Sequence, residues 1–302
     1  ESERAERVRL AGHVGAGAPY TTYRMRFAKV GRAAFLGHLD LSRLLARSFR
    51  RADLALAMTR GFSPKPRIAF GPALGLGVPA LGELFDVDLE HVVPGHRAWD
   101  VPEGASRVEL SADEVRERLA AVCPPGIEIL GCEIVRLAGH PALGAGGRPD
   151  PGLGKLIDAV DLAICPAPDG IAFDEARLRR IAAVFLARTE LVIARDGGKS
   201  SGKPVDVRAF VTELDVISGE AAERLCAALD WPASPLLRAR VRSTAEGSAK
   251  PQEVARALGV WGPDDPRAAH AAIARLRVVE AGVEAGKVRE DGLAVRSMPV
   301  PA

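Results

Sequence analysis

No apolar run in the 302 residues approaches the 18 or more that a membrane-spanning helix requires, which excludes a helical span. No basic stretch leads into an apolar one near Glu1, so no secretory signal is expected, and the expected location is cytoplasmic. The chain opens on Glu1 rather than Met, as a processed product or the tail of a longer polypeptide would. Four cysteines, Cys123, Cys132, Cys165 and Cys226, are scattered without CxxC spacing. That speaks against a zinc ribbon, an iron–sulfur cluster or a disulfide scaffold in this chain, and reduced thiols are expected. Aromatic residues make up only 5%, too few to pave strands with the base-stacking platforms of common RNA-recognition sheets.

Charge of one sign is not in excess overall: 41 basic and 39 acidic side chains leave +2. Its distribution is uneven. Residues 24–70 hold eleven basic side chains (Arg24, Arg26, Lys29, Arg32, Arg43, Arg47, Arg50, Arg51, Arg60, Lys65 and Arg67) against Asp40 and Asp53, a local +9. Local charge sets the field that a polyanion feels.

The pattern of apolar residues predicts two successive α/β units. Residues 1–21 read as a linker or disordered lead-in, rich in Gly and Ala before Pro19. A strand at 22–29 alternates Tyr23, Met25 and Phe27 with Arg24 and Arg26, so one face should be buried and the other basic. A helix at 38–52 places Leu41, Leu44, Leu45, Phe49 and Ala52 on one stripe and Arg43, Arg47 and Arg50 opposite. Short strands fit at 54–59, 67–70 and 84–90, a capping box at Ser111 and Glu114 opens a second helix, and a strand at 127–135 closes unit one, 22–137. A Gly/Pro linker covers 138–154. In unit two, 155–281, strands fit at 156–165, 191–195, 236–242 and 273–280, and helices at 174–188 and 251–258. Residues 207–230 suit helix or strand, and 282–302 form a C-terminal tail. The fold class expected is α+β, two tandem ferredoxin-like α/β sandwich units.

Several motifs fail on inspection. The Gly/Lys loop at 196–206 is not a nucleoside-triphosphate loop, because Ile193 stands where one frame needs Gly and Pro204 where the other needs a hydroxyl. It still offers Lys199 and Lys203 to a phosphate backbone. Asp86, Asp88 and Glu90 alternate with Phe85, Val87 and Leu89; a solvated outer face is expected there, and no metal is assigned. His38 opens the first helix, with Asp40 in the same turn, and the two are read as shaping a site. His38 is also the one candidate catalytic residue, although no partner for acid–base chemistry can be named. More informative is the loop 61–70, where Pro64 and Pro66 stiffen a segment presenting Lys65 and Arg67. Arg238, Arg240 and Arg242 alternate on a strand of unit two. A strand face and a helix-plus-loop, both basic, suit a protein that tracks phosphates.

The run from FLGHLDLSR through GFSPKPRIAF to GELFDVDLE, with KPVDVRAFV at 203–211 and KPQEVARALG at 250–259, resembles the radical SAM-associated domain of unknown function over about 22–280. In that family the domain is fused to, or encoded beside, cobalamin-binding radical SAM proteins. Members are expected to read Ser-His-Leu-Asp where Gly37 precedes His38 here, and Asn-Pro-His-Pro where Ser63, Pro64, Lys65 and Pro66 stand. The second change removes an imidazole from the loop and keeps a cation. The resemblance implies a radical SAM partner, in cis or in trans. S-adenosylmethionine, an iron–sulfur cluster and cobalamin are implied only for that partner, and no cofactor for this chain.

The expectation is therefore an accessory module without catalysis of its own, binding structured RNA for modification by its partner, with no membrane and no DNA involved. Arg43, Arg47, Arg50, Lys65, Arg67, Lys199, Lys203, Arg240 and Arg242 are the expected phosphate contacts. Two alternatives stand beside it: a metal-independent RNA endonuclease using His38, and a protein-docking module without RNA.

Overall fold

The computed structural model describes residues 19–59, 62–96, 105–136, 153–166, 173–195, 201–244, 247–260 and 273–280. The lead-in up to residue 18, most of the 138–154 linker, Lys199 and the C-terminal tail lie outside the described residues. The fold is mixed α/β with mostly antiparallel strand pairing. The chain divides into two compact units, residues 1–74 with 83–156, and residues 75–82 with 157–302.

Unit one begins with β1, Tyr20–Lys29, followed by a 3-10 turn and α1, His38–Arg51. The short β2, Ile68–Phe70, precedes β3, Ala80–Glu90, whose residues from Glu83 onward belong to this unit. Then come α2, Ala112–Ala120, and β4, Ile127–Arg136. The strands lie in the order β4-β1-β3-β2, with β1 antiparallel to β4 and β2 antiparallel to β3. The amphipathic reading of α1 holds: Leu41, Leu45 and Phe49 are buried, packed with Tyr23, Met25 and Phe27 of β1 and with Phe85, Val87 and Leu89 of β3. Phe27 and Phe49 both meet Phe85 edge-on, at 5.4 and 6.2 Å between ring centres. Ser111 caps α2 by accepting from the Glu114 backbone N–H at 3.2 Å, as its position in the sequence implies.

Gly126 turns the chain into β4 at φ +87°, accepting from the Val30 N–H at 2.9 Å. A Cβ there would stand 2.6 Å from the Val30 carbonyl oxygen, so only glycine fits. The strand expected at 54–59 is reduced to isolated bridges, Leu56 with Leu89 and Met58 with Pro66. The Ala55 and Ala57 backbones still bond to the edge of β3 through Glu90 and Asp88.

Unit two carries β5, Ile157–Ile164; α3, Glu175–Leu186; β6, Val192–Ala194; β7, Pro204–Asp206; and β8, Val211–Ile217. They are followed by α4, Gly219–Leu229; β9, Leu236–Thr244; α5, Pro251–Ala257; and β10, Ile273–Glu280. The order is β8-β9-β5-β10, antiparallel throughout, and β6 pairs with β7 as a separate hairpin. Asp174 caps α3, bonding the Arg177 N–H at 2.7 Å. The ambiguous stretch 207–230 resolves into one helical turn, Val207–Phe210, then β8 and α4. Residues 75–82 complete the unit: Ala80 pairs in parallel with Arg275, whose N–H reaches the Pro79 carbonyl at 2.9 Å. Leu81 packs with the buried cluster of Ala163, Cys165, Leu225, Cys226 and Leu236.

Candidate nucleic-acid interface

The β1 face expected to be basic divides: Arg26 is exposed, but Arg24 is buried. Arg24 is 6% exposed and grips Asp86 with two bonds, Nε to Oδ1 at 2.9 Å and an η nitrogen to Oδ2 at 3.1 Å. Asp88 accepts from the Thr22 hydroxyl at 2.6 Å and pairs with Arg67 Nε at 2.6 Å. Arg67 also lies over the Tyr20 ring, 4.5 Å from its centre. Glu90 is buried, and its Oε2 has no hydrogen-bond partner. Burial pushes the Glu90 carboxyl above its ordinary pKa, with the nearby Arg107 charge opposing. The row Asp86, Asp88 and Glu90 is thus an internal polar layer, not an outer face. Among the described residues no group of carboxylates, imidazoles and thiols has metal-holding geometry.

Arg67 is therefore held by Asp88 and Tyr20 with its side chain partly exposed, while Arg24 and Lys29 are buried. The Lys29 ammonium donates to the Ala34 and Leu36 carbonyls, both at 3.1 Å. In unit two, Arg240 is buried. It donates to both oxygens of Asp161, at 2.7 and 3.0 Å, and to Glu213. Arg277 shares Asp161 at 2.7 Å, and Arg238 pairs with Asp215 and Glu213. These guanidiniums hold Asp161 below the ordinary carboxylate pKa against the burial that would raise it. Arg242 is exposed and donates to the Ala209 carbonyl at 2.9 Å. Lys203 is exposed within the β6–β7 hairpin, just before β7. The basic face of β9 thus keeps Arg242 at the surface, while Arg240 is spent on structure.

Beside exposed Arg26 and Arg32, the ridge of α1 reaches solvent in unit one. Arg43, Arg47 and Arg50 are exposed at i, i+4 and i+7, one side of the helix, with Arg51 beside them. Asp40 stands 3.7 Å from Arg43, both well exposed, a pair of little energetic weight. Lys65 is exposed at the turn where its backbone N–H bonds the Thr59 hydroxyl at 2.9 Å. Two large apolar side chains not singled out from sequence stand near the start of α1: Phe35 is 67% exposed and Leu39 68%.

At the head of the same helix is a recess. It is lined by Phe27, Lys29, Leu36, His38, Leu41, Phe70 and Glu83 and by residues 71–74, and it encloses about 30 Å³, room for water and not for a larger ligand. His38 is exposed at its rim and meets Phe70 edge-on at 4.9 Å. The N-cap of α1 is Gly37, without a side-chain cap. Glu83 and Lys29 are buried at the recess. Sequence reasoning placed His38 in a site but missed Glu83, Phe70 and Lys29 as its neighbours, because they converge from three strands.

Residues 22–239 match the bacterial family described as an uncharacterized protein conserved in bacteria (DUF2344). The chain belongs to that family. No curated protein matches it. No helix among the described residues is long and apolar enough to cross a membrane.

Proposed function

We propose that this DUF2344 chain is an accessory module of a radical SAM system that binds RNA, with the α1 ridge following the phosphate backbone. The observation that carries the RNA reading is the exposed row Arg43, Arg47 and Arg50, faced by Asp40 alone among acidic side chains of its helix. Three arginines at one-turn spacing give several cationic contacts without reorganising the helix. Exposed Lys65 extends the cationic surface, whereas Arg24, Arg67 and Arg240 hold the fold together. The strand orders β4-β1-β3-β2 and β8-β9-β5-β10 support reading both units as variants of the ferredoxin-like plan, the second with α4 inserted. The radical SAM partner rests on the sequence resemblance.

Fluorescence anisotropy with single-stranded RNA over a salt series tests the reading. Binding should weaken with salt, and Arg43→Ala, Arg47→Ala and Arg50→Ala together should lower the slope of log K against log salt by about 2. Salt-independent binding, or no binding to RNA, overturns it. A pull-down retaining a radical SAM protein after nuclease treatment tests the partnership separately. The endonuclease alternative gains nothing from the geometry, since among the described residues no hydrogen bond orients His38 for proton transfer. Exposed Phe35 and Leu39 suit the docking alternative, which predicts partner capture with no affinity for RNA.

A further inference from the structure

We infer that the basic surface of unit one takes its RNA as a single strand, with bases stacked on Phe35 and Phe62; this rests on the RNA reading above. Among the described phenylalanine, tyrosine and tryptophan residues these two alone are exposed, and both fall inside the basic segment 24–70. Every other described phenylalanine is buried or half-buried, so the fold covers such rings elsewhere and leaves these two in water. Single exposed apolar side chains need no explanation. The company that these keep does: each has an exposed cation three residues away, Arg32 for Phe35 and Lys65 for Phe62.

Backbone geometry sets ring beside charge. In the 3-10 turn Gly31–Phe35, side chains three apart eclipse one another, and Ala33 and Ala34 take the buried side, so Arg32 and Phe35 project together. On α1, exposed Leu39 precedes Arg43, Arg47 and Arg50 by four, eight and eleven residues, so an apolar side chain heads the cationic row on the same helix face. In the loop, Pro64 and Pro66 flank Lys65 and restrict its backbone, whose N–H is tied to the Thr59 hydroxyl at 2.9 Å. A guanidinium or ammonium holds a phosphate, and a ring beside it takes the face of the neighbouring base. Every base has such a face, so no sequence is selected. Duplex RNA cannot use the rings, because its bases already stack on one another and turn only their edges outward.

The test measures anisotropy on the full chain with three probes: an oligouridine, the same sugar–phosphate backbone without bases, and an RNA duplex. Phe35→Ala and Phe62→Ala should each weaken oligouridine binding about 5- to 100-fold and leave the other two probes within about 2-fold. The salt slope should not change, since no phosphate contact is removed. Phe35→Trp should keep the affinity, and Phe35→Leu, apolar but without a ring face, should lose it as Phe35→Ala does. Both positions are exposed, so each variant should melt with wild type. Oligouridine affinity that survives the two alanine variants combined, a loss equal for all three probes, or full affinity in Phe35→Leu overturns the stacking and leaves RNA binding by the arginines intact. No binding to any of the three probes overturns the RNA reading and this one with it, and leaves Phe35 and Leu39 to a protein partner.

Discussion

Glu90 is a carboxyl that the fold desolvates without giving one of its oxygens a partner. Its folded pKa lies above the unfolded value, so the folded state holds the extra proton. The stability linked to that proton is complete below the ordinary Glu pKa of about 4.3 and is lost as pH rises through the folded value. Glu90→Gln, which keeps the shape and removes the charge, should therefore raise the melting temperature at pH 7 and flatten its pH dependence above the ordinary Glu pKa, read by calorimetry. Asp161 carries the opposite sign. Its folded pKa is depressed, so its contribution is present above about pH 3.9 and lost as acid drives it through the folded value. Asp161→Asn leaves Arg240 buried beside a neutral group and should cost about 3–5 kcal/mol in urea unfolding at pH 7. Glu90 and Arg240 stood out in the alternating strand patterns. Their burial did not, because period-two alternation says which side chains share a face and nothing about whether that face is covered. Arg24 and Asp86 sit on different strands, and only strand pairing shows that each is the other's partner.

At the scale of elements, periodicity located α1 within one residue at each end, and the Ser111 and Asp174 caps fell where the sequence placed them. α4 was harder. Gly219–Leu229 exposes Glu220, Glu223 and Arg224, but it starts at a glycine with φ +60° and ends at Asp230 with φ +55°, so neither end carries a strong stop signal. The strand at 54–59 failed for a different reason: Leu and Ala alternate there, but only Thr59 is of a strand-enriched type, and the segment finds only isolated bridges. Tight backbone approaches make sharper tests of the elements. A Cβ at Gly82 would lie 2.8 Å from the Leu276 carbonyl oxygen, backbone that cannot swing aside. Gly82→Ala should destabilise unit two by about 1–3 kcal/mol, measured by chemical denaturation, through forced displacement of the neighbouring strand. The recess belongs to this scale as well. His38 was legible as a helix-start residue, while Glu83 and Phe70 join it at the recess only once β2, β3 and α1 have packed.

For the whole molecule, net charge was a poor guide and its segmental distribution a partial one. Of the eleven basic side chains in residues 24–70, Arg24, Lys29 and Arg67 are committed to internal partners, so the surface field is smaller than +9 suggests. The repeated run of elements suggested units at 22–137 and 155–281, whereas the compact units group residues 75–82 with 157–302. A fragment of residues 157–302 should accordingly melt below the full chain's unit two, and an added peptide of residues 75–82 should raise that melting temperature in proportion to its concentration. A peptide with no effect would show that the short segment contributes nothing to that unit.

That same loan has a temporal side. On the ribosome, Gly75 to Gly82 emerges long before Ile273 to Glu280, and Ala80 has no companion until Arg275 arrives nearly two hundred residues later. Unit two therefore cannot finish maturing early from its own contiguous stretch, and a gene rearrangement that moves residues 157–302 alone would strand it without its missing strand end.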